Sequence, residues 1–277
     1  MKQLWIIARV TFREAARRKI LWTALVAAAA FLALFGTGMH FQVNSQHFAK
    51  LNPLIRRQIL GSLLQVGFYA IDLLAVLMTV LTSVDSISGE IASSTIHAMA
   101  TKPIHRWQLL IGKWLGFAAM VAVYVAVVFG GVFAIGHFIG GIRQHGAALG
   151  ASLIYLECLV VLTATFLFGT MFSTITNGVI VLGLHGIAFI GGWLEQIGTV
   201  TQSDRLVTLG IVSSVIMPSE AMWRRASYAM QSSLARTLDF SPFGTRSVPS
   251  NIMLVYAVVY LLVALLLAIQ RFHQRDL

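Results

Sequence analysis

The chain has 277 residues, 57% of them hydrophobic and only 11% charged, where a soluble domain carries about a quarter charged residues. That leaves too little polar surface to cover a globule and points to a polytopic membrane protein. The formal charge of +10, from 20 basic and 10 acidic residues, comes without zinc-ligand spacing or an aromatic-rich basic sheet. It therefore indicates anionic lipid and positive-inside sorting, not nucleic acid.

Residues 1–19, MKQLWIIARVTFREAARRK, hold six basic residues ahead of a long apolar run. With further spans following, a retained signal anchor is expected and not a cleaved leader. Arg9, Arg13 and Arg17 fall four apart on one helical face, and Trp5, Ala8, Phe12 and Ala16 fill an adjacent apolar one. This pattern predicts an amphipathic helix lying in the membrane plane, with cations on headgroups and Trp5 at the boundary.

Six spans of helical length follow, at about 20–39, 63–84, 111–135, 149–171, 178–195 and 251–270, since about 20 apolar residues cross the hydrocarbon. The apolar tract 158–194 is too long for one span, and GTMFSTITNG (169–178) breaks it into a tight hairpin. Placing the N-terminus inside assigns 11 basic residues to the inner segments, six of them beside the first span. Both termini are then expected on the cytoplasmic side.

Asp72 and Glu157 lie inside spans, where an ionised side chain is expensive and faces a protein interior or a cavity. They are candidates for a substrate path or a buried charge, with Arg143 or an arginine of 196–250 as partner. Asp72 is expected in the outer half of its span. His137 and His185 lie within or near spans, and a haem between them is the basis of a redox reading. Cys158 is the single cysteine and forms no intrachain disulfide.

Segment 196–250 is expected to be extracytoplasmic. LVTLGIVSSVIM (206–217) is short for a span, Pro218 ends it, and Met222, Trp223, Ala226, Met230 and Leu234 then recur at helical spacing, with Arg224, Arg225 and Arg236 elsewhere. Two short helices at the outer surface or dipping into it are predicted, with a re-entrant element at 206–217 as the alternative.

Between spans two and three the chain reads DSISGEIASSTIHAMATKPIHRWQLLIGK (85–113). The glycine–acid pair Gly89-Glu90, then Thr95-Ile96, Pro103, Arg106 and Gly112-Lys113 resemble the pattern of an ABC-2 type ABC transporter permease, the NosY-like branch. ARVTFREAARRKILW and the six-span layout with a long segment before the sixth agree with it. Position 105, commonly small and polar in that family, is His105, a weaker helix cap than serine.

The resemblance implies one transmembrane domain over 1–277, with the interfacial helix at 1–19 and a cytoplasmic coupling helix at 88–101. Gly89, Glu90, Thr95, Ile96, Met99, Lys102, Pro103 and Arg106 would form the docking surface for an ATPase. It further implies a permease subunit of an ATP-driven exporter in a bacterial inner membrane. Its partners would be a second copy or a paralogous permease, two cytoplasmic ABC ATPase subunits and membrane lipid.

The phosphate-loop pattern GxxxxGK[ST] is absent, so ATP and magnesium are expected on the partner ATPase, no cofactor on this chain, and no enzymatic role for it. The cations of 85–113 read by themselves as headgroup anchors for spans two and three. The alternatives are a membrane-bound redox or enzyme subunit and a non-transporting scaffold. Few fixed charges in the spans suit an amphiphile, a peptide or a lipid-linked cargo better than a small ion.

Overall fold

Pro53 lacks an amide hydrogen, so a helix can start on it but not run through it. Asn52 caps that start by accepting from the Leu54 amide. The helix launched there belongs to an all-helical bundle. The computed structural model describes residues 2–92, 105–142, 144, 146–231 and 247–274.

In chain order these form α1 (Lys2–Arg17), α2 (Lys19–Asn44), α3 (Gln46–Ala49), α4 (Pro53–Ser83), α5 (Asp85–Ala92) and α6 (Arg106–Phe138). After these come α7 (Ala147–Gly169), α8 (Thr174–Thr201), α9 (Asp204–Ile216), α10 (Ser219–Met230) and α11 (Asn251–Gln274). Six helices among the described residues are long and apolar enough to cross a membrane: α2, α4 with α5, α6, α7, α8 and α11. They match the six expected spans, but several run longer. The second begins ten residues earlier than expected because Arg56 and Arg57 sit in its first turns, and Arg56 lies over the Phe48 ring at 5.1 Å. Charges at a helix end that project beyond the hydrocarbon do not end the helix.

Helices α4 and α7 form the centre, with 61% of each apolar window buried, against 11% for α2 and 22% for α11. Apolar side chains such as Val26, Leu34 and Phe41 on α2, and Val255, Leu262 and Leu266 on α11, face outward. In water such a surface would be a liability; in hydrocarbon it is the natural one. Lipid gives no hydrophobic drive between helices, so close packing and polar links must hold them. Phe68 stacks on Phe129 at 4.7 Å. Trp114 donates to Thr163 at 3.0 Å, Tyr155 to the Ala118 carbonyl at 3.1 Å, and Tyr124 to the Ala24 carbonyl at 3.3 Å. Each aromatic thus buries its body and satisfies its polar tip. Gly136 meets Leu64 and Gly131 meets Leu32, which brings α4 and α2 close to α6.

The region after the fifth span departs from a pair of surface helices. α8 continues to Thr201 and the chain reverses through Gln202, which takes a left-handed conformation at φ 54°. α9 then runs back along α8, with Gly198 against Leu206 and Val207, and Gly191 against Ser213. At Met217–Pro218 the path bends by 109° into α10. Ser219 lies 3.0 Å from His185 Nδ1, near the middle of α8. α10 ends with Met230 against Gly150, at the start of α7. Both ends of the α9–α10 pair therefore lie at the same end of the bundle, and the pair is re-entrant. Gly146 makes this closure possible: its φ of 71° is a glycine conformation, and the Ala229 carbonyl fills the place of a Cβ.

Candidate functional site: a knitted helix end and a buried polar centre

Only Val84 separates α4 from α5, and several elements meet at this junction. The Ser88 hydroxyl donates to the Val84 carbonyl at 2.8 Å and stands 2.9 Å from the Thr174 hydroxyl, at the start of α8. Thr174 donates to Asp85 Oδ1 at 3.1 Å. Asn177 donates to the Val84 carbonyl at 3.3 Å and the Thr165 carbonyl at 3.0 Å. Lys113 of α6 is buried and donates to the Ser86 carbonyl at 3.1 Å. Arg18, at the α1–α2 bend, bonds Glu14 at 3.0 Å and lies 3.9 Å from Asp85. Arg106 opens α6 and donates to the His273 carbonyl of α11 at 3.3 Å.

Of the docking residues expected from sequence, Gly89 and Arg106 fall in this knit. A Cβ on Gly89 would collide with the Asp85 carboxylate. Glu90 lies in α5. Thr95, Ile96, Met99, Lys102 and Pro103, and so most of the expected coupling helix 88–101, lie outside the described residues. His105 occupies the N-cap of α6 in extended geometry without a side-chain cap bond. Lys113 differs from a headgroup anchor: it points into the junction. Asp85, Ser88 and Thr174 were not singled out from sequence. Their signal was small polar residues at both span ends, in DSIS and STIT.

α1 forms as expected, and Arg9, Arg13 and Arg17 share its exposed face. The apolar stripe divides differently. Ala8, Thr11 and Ala15 are buried, Phe12 is half-buried, and Trp5 points outward with Ile6 and Val10. The cause is the contact with α6. Gly112 meets Ile7 and the Leu4 carbonyl, and Gly116 meets Thr11 and the Ala8 carbonyl. Ile7 packs on Gly112 and small residues line the rest of the contact, while Trp5, Ile6 and Val10 turn away.

The second polar centre lies inside the bundle. Asp72 sits near the middle of Pro53–Gly89, a helix that starts earlier than expected. Glu157 sits at the middle of α7. Their exposures are 4% and 0%, so water does not reach them. The two carboxyl groups stand within hydrogen-bonding reach of one another. Among the described residues no arginine pairs with either carboxyl group; Arg236 and Arg246 lie outside them. Arg224 instead pairs with Glu195 of α8 at 2.9 Å and donates to Ser214 at 3.2 Å; Ser247 also donates to Glu195. Arg143 lies outside the described residues.

Met222, Trp223, Ala226 and Met230 are buried as their spacing predicted, but so is Arg224. Gln65 of α4 bonds Ser227 of α10 at 2.6 Å. The two histidines do not form a haem pair: His185 is buried against Ser219, and His137 is exposed and stacked on Phe133. Among the described residues no three His, Cys, Asp or Glu side chains are grouped to hold a metal.

This architecture combines an α1 docked on a span, a knitted α4–α5 junction and a re-entrant pair before the last span. The family model for ABC-2 family transporter proteins matches residues 5–277. The chain belongs to the ABC-2 family transporter proteins. It is a multi-pass membrane component of an ABC transporter, and the match covers α1 through α11. A search of the curated proteins found no match.

Proposed function

We propose that the chain is the permease subunit of an ATP-driven exporter in a bacterial cytoplasmic membrane, with both termini inside. The observation that supports this best is the α4–α5 junction. Residues of α1/α2, α6 and α8 grip its backbone and side chains through Arg18, Lys113, Thr174 and Asn177. A short helix gripped from several sides can pass a displacement to the spans; a loose loop would absorb it.

In this reading the segment 88–101 docks on a cytoplasmic ATPase through Gly89, Glu90, Thr95, Ile96, Met99, Lys102, Pro103 and Arg106. ATP and magnesium sit on that partner. Closure of two ATPase subunits moves the docked segments of two permease subunits, a second copy or a paralogue, and alternates access between them. The chain changes barriers and site exposure and does no covalent chemistry. Arg9, Arg13 and Arg17 lie against anionic headgroups. The cargo is an amphiphile, a peptide or a lipid-linked molecule, in keeping with spans that carry few charges.

The test is co-purification from native membranes, with identification of the associated proteins, for the wild type and Arg106→Glu at equal expression. Recovery of an ABC ATPase with the wild type and its loss in Arg106→Glu is the expected result. Size-exclusion profiles must match, since Arg106 also bonds His273. A wild-type chain that comes down without an ATPase, or with a haem protein, would overturn the reading.

A further inference from the structure

Asp72 of α4 and Glu157 of α7 face each other deep in the bundle, among described groups of α4, α7, α8 and α10. α4 adds the Tyr69 hydroxyl, which meets the Trp193 indole of α8. α7 adds the buried Cys158 thiol. α8 adds Glu195 and His185, bonded respectively to Arg224 and Ser219. α10 adds Glu220, 3% exposed, and Arg224, 2% exposed. Arg224 is the single cation of this set, and its guanidinium is 2.9 Å from Glu195.

Neither oxygen of Glu157, nor Oδ1 of Asp72, makes a well-formed hydrogen bond among the described residues. An ionised carboxylate accepts only, so two of them within hydrogen-bonding reach make no bond and repel. Away from water that repulsion is barely screened. A single proton reverses the situation. It turns one carboxyl into a donor, and an acid–carboxylate hydrogen bond is among the strong ones. The charge that remains lies beside the first turns of α10, where Glu157 faces the Trp223 backbone amide and the positive end of the helix dipole favours an anion.

We propose that Asp72 and Glu157 together form a proton-binding site between α4 and α7, holding one proton in the interior of the bundle. The site lies under the α9–α10 bend, and α10 is fastened to α4 by Gln65–Ser227 and to α8 by Arg224–Glu195. With the proton bound, α4 and α7 are drawn together. Without it, two like charges part them. The proton's presence thereby sets the contact between the two central helices.

The test is infrared spectroscopy of the full-length protein in lipid nanodiscs at neutral pH. A protonated-carboxyl carbonyl band is expected in the wild type, shifted in heavy water and by carboxyl-¹³C labelling of aspartate or glutamate. The band should be lost in both Asp72→Asn and Glu157→Gln and kept in Glu220→Gln. Amides preserve shape and can donate to the remaining carboxylate, so both variants should assemble. If either does not, Glu220→Gln decides: a band kept there supports the site, and a band lost with Glu220 overturns it. A wild type without the band, or a band surviving in both Asp72→Asn and Glu157→Gln, also overturns it. The spectrum reads the site whether or not the chain exports anything.

Discussion

Replacing Arg224 by methionine removes the ion pair that fastens the re-entrant α10 to α8. The side chains of Arg224 and Glu195 are only 2% and 8% exposed, 2.9 Å apart. In Arg224→Met the apolar stem is kept, but Glu195 is left with the Ser247 hydroxyl as its described donor, and Ser214 loses the guanidinium. Breaking one side of a buried pair costs about 3–5 kcal/mol, because a charge stays buried without its partner. Removing both sides with residues of similar volume is often close to neutral. Arg224→Met/Glu195→Leu should therefore be more stable than Arg224→Met alone, and its loss should fall short of the sum of the two single losses by at least about 3 kcal/mol in a double-mutant cycle.

The assay is SDS- or heat-induced unfolding in detergent, followed by tryptophan emission. Trp223 adjoins Arg224 and packs on Tyr69 at 5.2 Å between ring centroids, so it reports on the right place. A loss below about 1 kcal/mol for Arg224→Met, the range of an exposed pair, would refute the reasoning. So would a double variant whose loss equals the sum of the singles.

Two further outcomes follow from α1. In Gly116→Leu a side chain is driven into the Ala8 carbonyl and Thr11, an overpacking of about 1–3 kcal/mol that should lift α1 off α6. A cysteine placed at the buried Ala15 should then react with a water-soluble maleimide, whereas Gly130→Leu, where the space is open, should leave it protected; equal labelling in the two variants would mean α1 does not rest on Gly116. Trp5, 70% exposed beside Arg9 and Arg13, should be quenched by phospholipids brominated near the headgroup more than by those brominated at the chain end, measured as the difference between wild type and Trp5→Phe. The opposite depth order would remove α1 from the interface.

The spans were legible because hydrocarbon imposes a length on a helix and forbids charge within it, and both constraints can be read along a single chain. Their ends were less legible. Arg56 and Arg57 read as loop residues, although a helix can carry cations past the hydrocarbon edge. The course of α9 was hidden for another reason. Its contact with α8 is made by Gly191, Gly198 and Gly210, and small residues leave almost no hydropathy signal while allowing the closest approach. Arg224 was misplaced because the apolar stripe of α10 suggested one buried face; a re-entrant helix is enclosed on more sides than a surface one. Asp72 and Glu157 could each be singled out by their cost in a membrane, but their meeting depends on the packing of α4 on α7.

What the sequence could not reveal is that these features share one helix. α4 begins at Pro53 and contains no later proline, the commonest cause of a sharp kink. Gln65 holds α10, Asp72 meets Glu157, and Ser83 lies two residues from Asp85, where α5 begins. Thr79, Thr82 and Ser83 donate back to carbonyls one turn earlier, so any yielding is concentrated at the α5 end, since such bonds bend a helix slightly. α2 and α11 are mostly outward-facing and meet the junction only near their ends, through Arg18 and His273. A displacement of α5 would instead be carried by α4 past the acid pair to α10, and through Arg224–Glu195 to α8. Under the proposed function, the helix pushed at the docking end is therefore the one that holds the proton site and the re-entrant pair.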